Sequence, residues 1–439
     1  MNKQEFFRRR KQLMEMMDPG SVAILPAAPM RIRNRDVEYQ YRQDSDFYYL
    51  TGFSEHDAVT VMIPGREHGE YILFCREHDP EKALWNGPHA GQEGAVAHFG
   101  ADDSFPIDDI DDILPGMLEG KDRVYYTMGN HPDFDQRLIG WVNRLRKQAR
   151  AGVHTPGEFV ALDHLLHELR LFKSPEELRA MRKAARISAK AHCRAMKKCK
   201  PGLREYQIEA ELLYSFMQQG ARFTAYSSIV GGGANGCILH YIDNQDVLQD
   251  GDLLLIDAGA ELEHYASDIT RTFPVNGRFS KEQRALYEIV LEAQLAAIEA
   301  VRPGNHWNDP HNAAVRVITA GLKSVGLLKG SVDKLIKSEA YKPFYMHRTG
   351  HWLGMDVHDV GDYKIDDEWR LLEPGMVLTV EPGIYIGASM SKVASKWHNI
   401  GIRIEDDVLV TKEGHEVLSA GVPKAVDEIE ALMAGKAKA

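Results

Sequence analysis

The stretch Leu253-Leu-Leu-Ile-Asp257-Ala-Gly-Ala-Glu-Leu-Glu-His-Tyr-Ala-Ser-Asp268-Ile-Thr-Arg-Thr-Phe-Pro274 decides how the chain is read. Its first five residues form an apolar run that predicts a strand in a buried sheet, and the run ends on a carboxylate. A second acid, Asp268, opens a run that alternates Asp268, Thr270 and Thr272 against Ile269, Arg271 and Phe273. The polar interval between them is long enough to turn the chain back, so a β-hairpin is expected to bring the acids together. Two carboxylates inside a sheet repel and are costly to desolvate without a partner, and a divalent metal supplies one.

The pattern has a second copy. Leu378-Thr-Val-Glu381-Pro-Gly383 repeats the apolar strand, acid, spacer and glycine of Leu255-Ile-Asp257-Ala-Gly259, and Gly401–Val410 reads as another alternating strand, carrying Glu405. The preceding helices repeat as well. Ser174 caps a helix starting at Pro175 with Glu177 closing a capping box, and it stops at Lys200-Pro-Gly202. Ser280 with Gln283 opens another, which stops at Arg302-Pro-Gly304. Helix, Pro-Gly stop, helix and acid-bearing strands thus occur twice, which predicts an α+β domain formed by duplication, its acids meeting in one sheet covered by helices.

Histidines supply the other ligand type. His347-Arg-Thr-Gly-His351-Trp-Leu-Gly-Met-Asp-Val-His358-Asp359 holds three imidazoles, and His240 follows the glycine-rich Gly231–Gly236. No GK[ST] follows those glycines, so they are not a phosphate loop and are expected to let backbone approach a substrate. Four carboxylates and a histidine suit two hard or borderline cations, with manganese favoured over a thiolate-type zinc site. Such a pair points to metal-assisted hydrolysis.

The rest of the chain bounds this reading. Its 439 residues allow two or three domains, and 44% hydrophobic with 27% charged residues is ordinary for a globular enzyme. A net charge of -11 argues against a nucleic-acid partner, and Arg8–Lys11 is expected to be a solvated helix face. No run reaches the roughly 20 apolar residues of a membrane span, and the polar opening is not expected to be a signal peptide. Cys75, Cys193, Cys199 and Cys237 show no framework spacing, so a cytoplasmic protein with reduced thiols is expected. The first third predicts an α/β domain: a helix, strands at Ser21–Leu25, Ala58–Ile63, Tyr71–Cys75 and Val124–Tyr126, and a helix over Asp135–Ala149. The aromatic Tyr39–Phe53 segment reads as core and interface. A boundary near Leu171–Glu177 separates an N-terminal domain, 1–172, from a catalytic domain, 173–439. The tail from Lys424 is expected to be a short helix with a frayed end.

Asp257, Asp268, His351, Glu381 and Glu405, in that order, resemble the five-ligand signature of the pita-bread dinuclear metallopeptidases: methionine aminopeptidase, prolidase and aminopeptidase P. Tyr41–Phe53 and the His347–Asp359 motif are similar to the aminopeptidase P branch, and the resemblance covers the whole chain. It implies a smaller N-terminal domain before a pita-bread catalytic domain, and release of the first residue from peptides with proline second. It further implies a hydroxide shared by two divalent ions, Mn²⁺ being favoured, with Asp268 and Glu405 bridging. Asp257 would complete one metal position, and His351 with Glu381 the other. Glu381 would take the proton, and His240 and His358 would meet the substrate carbonyl and its developing charge. His347, Arg403 and Tyr385 would shape the proline side, Arg403 being equally readable as a counter-charge for the acids and Tyr385 as core. Trp85 resembles a tryptophan that reaches a neighbouring subunit's site, and a homo-oligomer, dimer or tetramer, is expected. Residues between His347 and His351 leave subsite preference open. The alternatives are a prolidase with the same ligands, or a non-catalytic pita-bread binding module, which would typically have lost ligands.

Overall fold

In the computed structural model, which describes residues 1–435, the Leu253–Asp257 strand lies antiparallel to Thr270–Pro274 with Asp257 opposite Thr270. The expected return of the chain is therefore present. Its interval is not a plain polar turn, however. Ala260–Leu262 pairs with Tyr265–Ala266 in a smaller hairpin of buried residues. That hairpin turns at Glu263 and His264, whose φ values of 53° and 65° match a type I′ connection. A break at Gly259 permits the detour, since a Cβ there would sit 1.6 Å from the Ser267 carbonyl oxygen.

The second copy is built alike. Val377–Val380 pairs antiparallel with Asp406–Val410, and Gly383–Ile386 with Ile400–Arg403. Gly401–Val410, expected to be one strand, therefore divides at Ile404-Glu405 and serves two ladders. Pro382, with no N–H, interrupts the matching strand. The expected single sheet is accordingly several small ladders. The halves meet where Glu405 N–H donates to the Thr270 carbonyl at 3.1 Å and Thr272 Oγ1 donates to the Arg403 carbonyl at 3.0 Å.

Both capped helices form as read. Pro175–Lys198 and Lys281–Glu299 each carry a complete capping box, from Ser174 with Glu177 and from Ser280 with Gln283. Their apolar faces join one core, in which Ala184, Met196, Leu212, Leu254, Phe273, Leu286, Val290 and Ile402 are fully buried. At about 1.5–3 kcal/mol per large aliphatic or aromatic side chain, this burial is what holds the ladders in place.

The chain divides into two compact units, Met1–Leu169 and Arg170–Ala439, and the ladders above belong to the second. In the first, a mixed six-stranded sheet runs Asp103–Pro106, Tyr71–Cys75, Val59–Met62, Ser21–Pro26, Arg123–Tyr125 and Glu158–Val160. The two edge strands, half-exposed and polar, lack the apolar run that marks the other four. The helix read at Asp135 begins earlier, at Pro132.

Arg8–Lys11 is not a solvated face throughout. Arg9 and Arg10 are buried, donate to the Tyr49 and Leu50 carbonyls, and each lies 4.0 Å from an aromatic ring centre, of Tyr49 and Tyr71 respectively. Those rings and carbonyls, invisible to helical periodicity, replace water around the guanidinium. Within Tyr39–Phe53, residues Phe47, Tyr49, Leu50 and Phe53 are core, while Tyr39 is exposed. Among the described residues no helix is long and apolar enough to cross a membrane. Val426–Met433 is helical, and the expected frayed end, residues 436–439, lies outside the described part.

Candidate metal centre

Strand ends aim the acids at one point. Asp257 closes its strand, Asp268 precedes the strand that pairs with it, and Glu381 and Glu405 occupy the two breaks of the second copy. These four, with His351, His347, His240, His358 and Arg403, line a cavity of about 460 Å³. Oxygen atoms of Asp268 and Glu405 and a nitrogen of His351 all fall within 4.8 Å of one another. His351 Nε2 lies 3.4 Å from Asp268 Oδ2 and 3.6 Å from Glu381 Oε1. Its Nδ1–H donates to its neighbour Trp352's carbonyl at 2.9 Å, which fixes the tautomer and leaves Nε2 turned to the acids.

Burial dominates the acid–base state of the centre. It lifts Glu381 to about 7 and, reinforced by Asp268, pushes Glu405 well above the carboxylate range. Asp257 is raised by burial against the opposing pull of Arg403. For His351 burial disfavours charge, yet the hydrogen bond to Asp268 and the field of Glu381 outweigh it and raise it to about 9. The acids thus recruit positive charge from whatever group is nearby. Oxygen and imidazole donors without a thiolate fit hard or borderline divalent ions, so the residues present suit the metal their pattern implies.

A second set of contacts braces these acids. Arg403 Nη2 donates to Asp257 Oδ2 at 2.6 Å, its Nε to Thr270 Oγ1 at 3.2 Å and its Nη1 to the Tyr385 hydroxyl at 3.0 Å. Thr270 Oγ1 donates to Glu405 Oε2 at 2.6 Å. Tyr385 lies against His347 Nε2 at 2.8 Å, while His347 Nδ1–H donates to the Arg348 carbonyl at 2.7 Å. His347 Nε2 is therefore an acceptor and the ring is neutral, in keeping with burial and Arg403 pushing it down to about 3. The two readings of Arg403 coexist, since it balances Asp257 and positions Tyr385.

His358 sits edge-on to His351, ring centres 4.4 Å apart, and partial desolvation lowers its basicity. His240 is exposed at the cavity wall. Trp85, which the resemblance assigns to a neighbouring subunit's site, is 87% exposed on the Pro80–Asn86 helix of the first unit. The glycines before His240 allow close packing within the chain: a Cβ on Gly231 would lie 2.9 Å from the Asn235 carbonyl carbon and one on Gly233 2.6 Å from Asp252 Oδ2.

Sequence reasoning missed Tyr226 and Asp407. The Tyr226 hydroxyl contacts Asp257 Oδ1 at 2.5 Å and also Asp268 Oδ1. Its single O–H is shared between the two carboxylates, and so ties them together. Burial and the three nearby carboxylates Asp257, Asp268 and Glu405 raise the phenol well above 10. Nothing around Tyr226 in the sequence marks it. Asp407 accepts the Asp268 N–H at 3.1 Å, and its signal was the run Glu405-Asp-Asp, of which only the first acid was read as a ligand. A separate grouping in the first unit, Asp46, Asp163 and His167, is engaged in its own contacts, His167 Nε2 lying 3.4 Å from Asp46 Oδ2.

Acid-bearing strand ends repeated in two halves around one histidine define a peptidase-type metal centre, and residues 179–412 match the model of metallopeptidase family M24, to which the chain belongs. Residues 6–125 match the aminopeptidase P N-terminal domain. Over its whole length the chain is 47% identical to a Xaa-Pro aminopeptidase of Escherichia coli, covering 99% of that protein. Its structure superimposes on an aminopeptidase PepP of Pseudomonas aeruginosa with a TM-score of 0.98 at 64% identity, each chain 99% covered. It also matches a zinc-substituted E. coli aminopeptidase P in complex with product, with a TM-score of 0.97 at 46% identity and full coverage of both. The fold is thus the pita-bread α+β domain behind an aminopeptidase P-type N-terminal domain, and the chain is a metal-dependent aminopeptidase.

Proposed function

We propose that the chain releases the N-terminal residue from peptides with proline in second position. The observation that carries this is the convergence of all five expected ligands, Asp257, Asp268, His351, Glu381 and Glu405, on the one cavity that also holds His240, His347 and His358. Full-length similarity to Xaa-Pro aminopeptidases supports it. The five residues would hold two divalent ions, Mn²⁺ by preference, with Asp268 and Glu405 shared between them. Bound ions supply Lewis acidity toward a carbonyl and acidify water near neutral pH.

The side chains do the remaining work. Glu381 accepts the proton of the attacking water, lying beside His351 and within 3.9 Å of His347. His240 and His358 offer donors to the scissile carbonyl as charge develops on its oxygen. His347, Tyr385 and Arg403, chained by hydrogen bonds, form the proline side. Tyr226 and Thr270 hold the acids in register.

The setting is proposed to be cytoplasmic, in keeping with four unpaired cysteines. The protein is proposed to be a homo-oligomer, dimer or tetramer, for which Leu84 and Trp85, 86% and 87% exposed, offer surface to cover.

The deciding experiment is hydrolysis of an Xaa-Pro-Xaa tripeptide by metal-stripped protein, with and without added Mn²⁺, beside an Xaa-Ala-Xaa control. Manganese-dependent release of the first residue from the proline peptide alone is expected. Activity confined to Xaa-Pro dipeptides would make the protein a prolidase, and no metal-dependent activity on either would leave a binding module.

A further inference from the structure

We propose that Arg348 reads the C-terminal carboxylate of short peptide substrates, an inference that rests on the Xaa-Pro reading above. Arg348 borders the same cavity as the acids and follows His347, whose Nδ1–H its carbonyl accepts. It is thus the next residue along from the group read above as the proline side, and on that reading a peptide that continues past proline comes within its reach.

An exposed arginine is usually solvated and of little energetic consequence. Arg348 differs in being held from two directions. Its guanidinium carbon stands 4.8 Å from the centre of the Trp369 ring, and Nη2 donates to Asn308 Oδ1 at 2.7 Å. Lys364 Nζ approaches the same ring at 4.8 Å, so a second cation shares the Trp369 ring with Arg348. Among the described residues Arg348 forms no ion pair with a carboxylate, and the Asn308 contact occupies a single one of its five N–H donors. A planar cation, oriented and lacking a counter-ion beside a substrate cavity, is prepared for a carboxylate, because its side-chain ordering is complete before the peptide arrives.

Wild-type and variant enzymes, loaded with Mn²⁺, are compared on an Xaa-Pro-Xaa tripeptide and on its C-terminal amide, with kcat and KM measured separately. Wild type is expected to show the lower KM for the free acid. Arg348→Met should raise KM for the acid by about five- to tenfold while the amide changes far less, as for one charge-assisted contact at a partly solvated site. Arg348→Lys should keep part of the discrimination, and added salt should weaken it in wild type but not in Arg348→Met. Trp369→Leu, which leaves the cation but removes its support, should fall between. An acid-to-amide ratio that is the same in wild type and Arg348→Met overturns this proposal alone. Wild type inactive on both peptides overturns the Xaa-Pro reading, and this proposal with it.

Discussion

Replacing Asp359 by asparagine should cost stability and rate together, although Asp359 touches neither a proposed ligand nor substrate. Its Oδ2 accepts from Lys173 Nζ at 2.8 Å and its Oδ1 from Arg170 Nη2 at 2.6 Å, all three side chains being almost fully buried. Its backbone N–H reaches the Trp352 carbonyl at 2.9 Å, and a Cβ on Gly354 would strike Oδ2 at 2.0 Å. The carboxylate thereby fixes the loop from His351 to His358. Burial alone would raise its pKa, but Lys173 and Arg170 outweigh burial and hold it below the usual range. Asp359→Asn keeps the shape and deletes the charge, leaving Lys173 buried without a carboxylate. Removing one partner of a buried pair costs roughly 3–5 kcal/mol. At about 2–4 °C per kcal/mol for a domain of this size, Tm should fall by roughly 6–20 °C. The pH dependence carries a sign. A depressed carboxylate adds stability above its unfolded value of about 3.9 and loses it as pH falls through the folded value, so Asp359→Asn should flatten the acid limb of the stability curve. Thermal denaturation from pH 3 to 7 reads both effects, and kcat of the metal-loaded variant reads the displaced histidines. A Tm within a degree of wild type, with an unchanged acid limb, would refute the reasoning.

Glu381→Ala should lose activity together with part of the bound metal, measured by elemental analysis of the purified variant; wild-type turnover would remove the mechanism. His358→Ala should keep its metal while kcat drops by roughly two orders of magnitude, the scale of one lost donor to a developing oxyanion. Tyr385→Phe takes away the hydroxyl between Arg403 and His347, 3.0 and 2.8 Å from them, and should lower kcat/KM about tenfold with metal content unchanged. Stripping the metal should lower Tm, and adding it back at a hundred times its dissociation constant should restore about 2.7 kcal/mol per site. An indifferent Tm would mean that the acids do not bind the ions.

What was legible in the sequence is what local chemistry imposes. Capping boxes at Ser174 and Ser280 need only residues three apart, and both form. Four of the six strands in the large sheet of the first unit are apolar runs, and the two edge strands, which carry no such run, went unread. Splitting at Ile404-Glu405 was hidden for another reason. Gly401–Val410 alternates evenly, and what divides it is the partner each part finds, Gly383–Ile386 or Val377–Val380. Arg9, Arg10 and Arg271 were unreadable as buried because carbonyls, rings and the Asp406 carboxylate that receive them are distant in sequence.

The centre follows the same division. Its ligands were legible because chain duplication places an acid at equivalent strand ends, and a repeated costly feature is informative where a single one is not. Tyr226 and Asp359 occur once, in stretches that any loop could contain, and their weight comes only from what they meet. Tyr226 holds Asp257 and Asp268 together, and Asp359 pins the histidine loop to Arg170 and Lys173. The groups that a sequence displays are therefore those that would bind the ions, whereas the groups that keep five ligands from drifting apart under their own repulsion are supplied by tertiary contact. For that reason variants such as Asp359→Asn, which spare every proposed ligand and change only its support, test the architecture more sharply than variants of the ligands themselves.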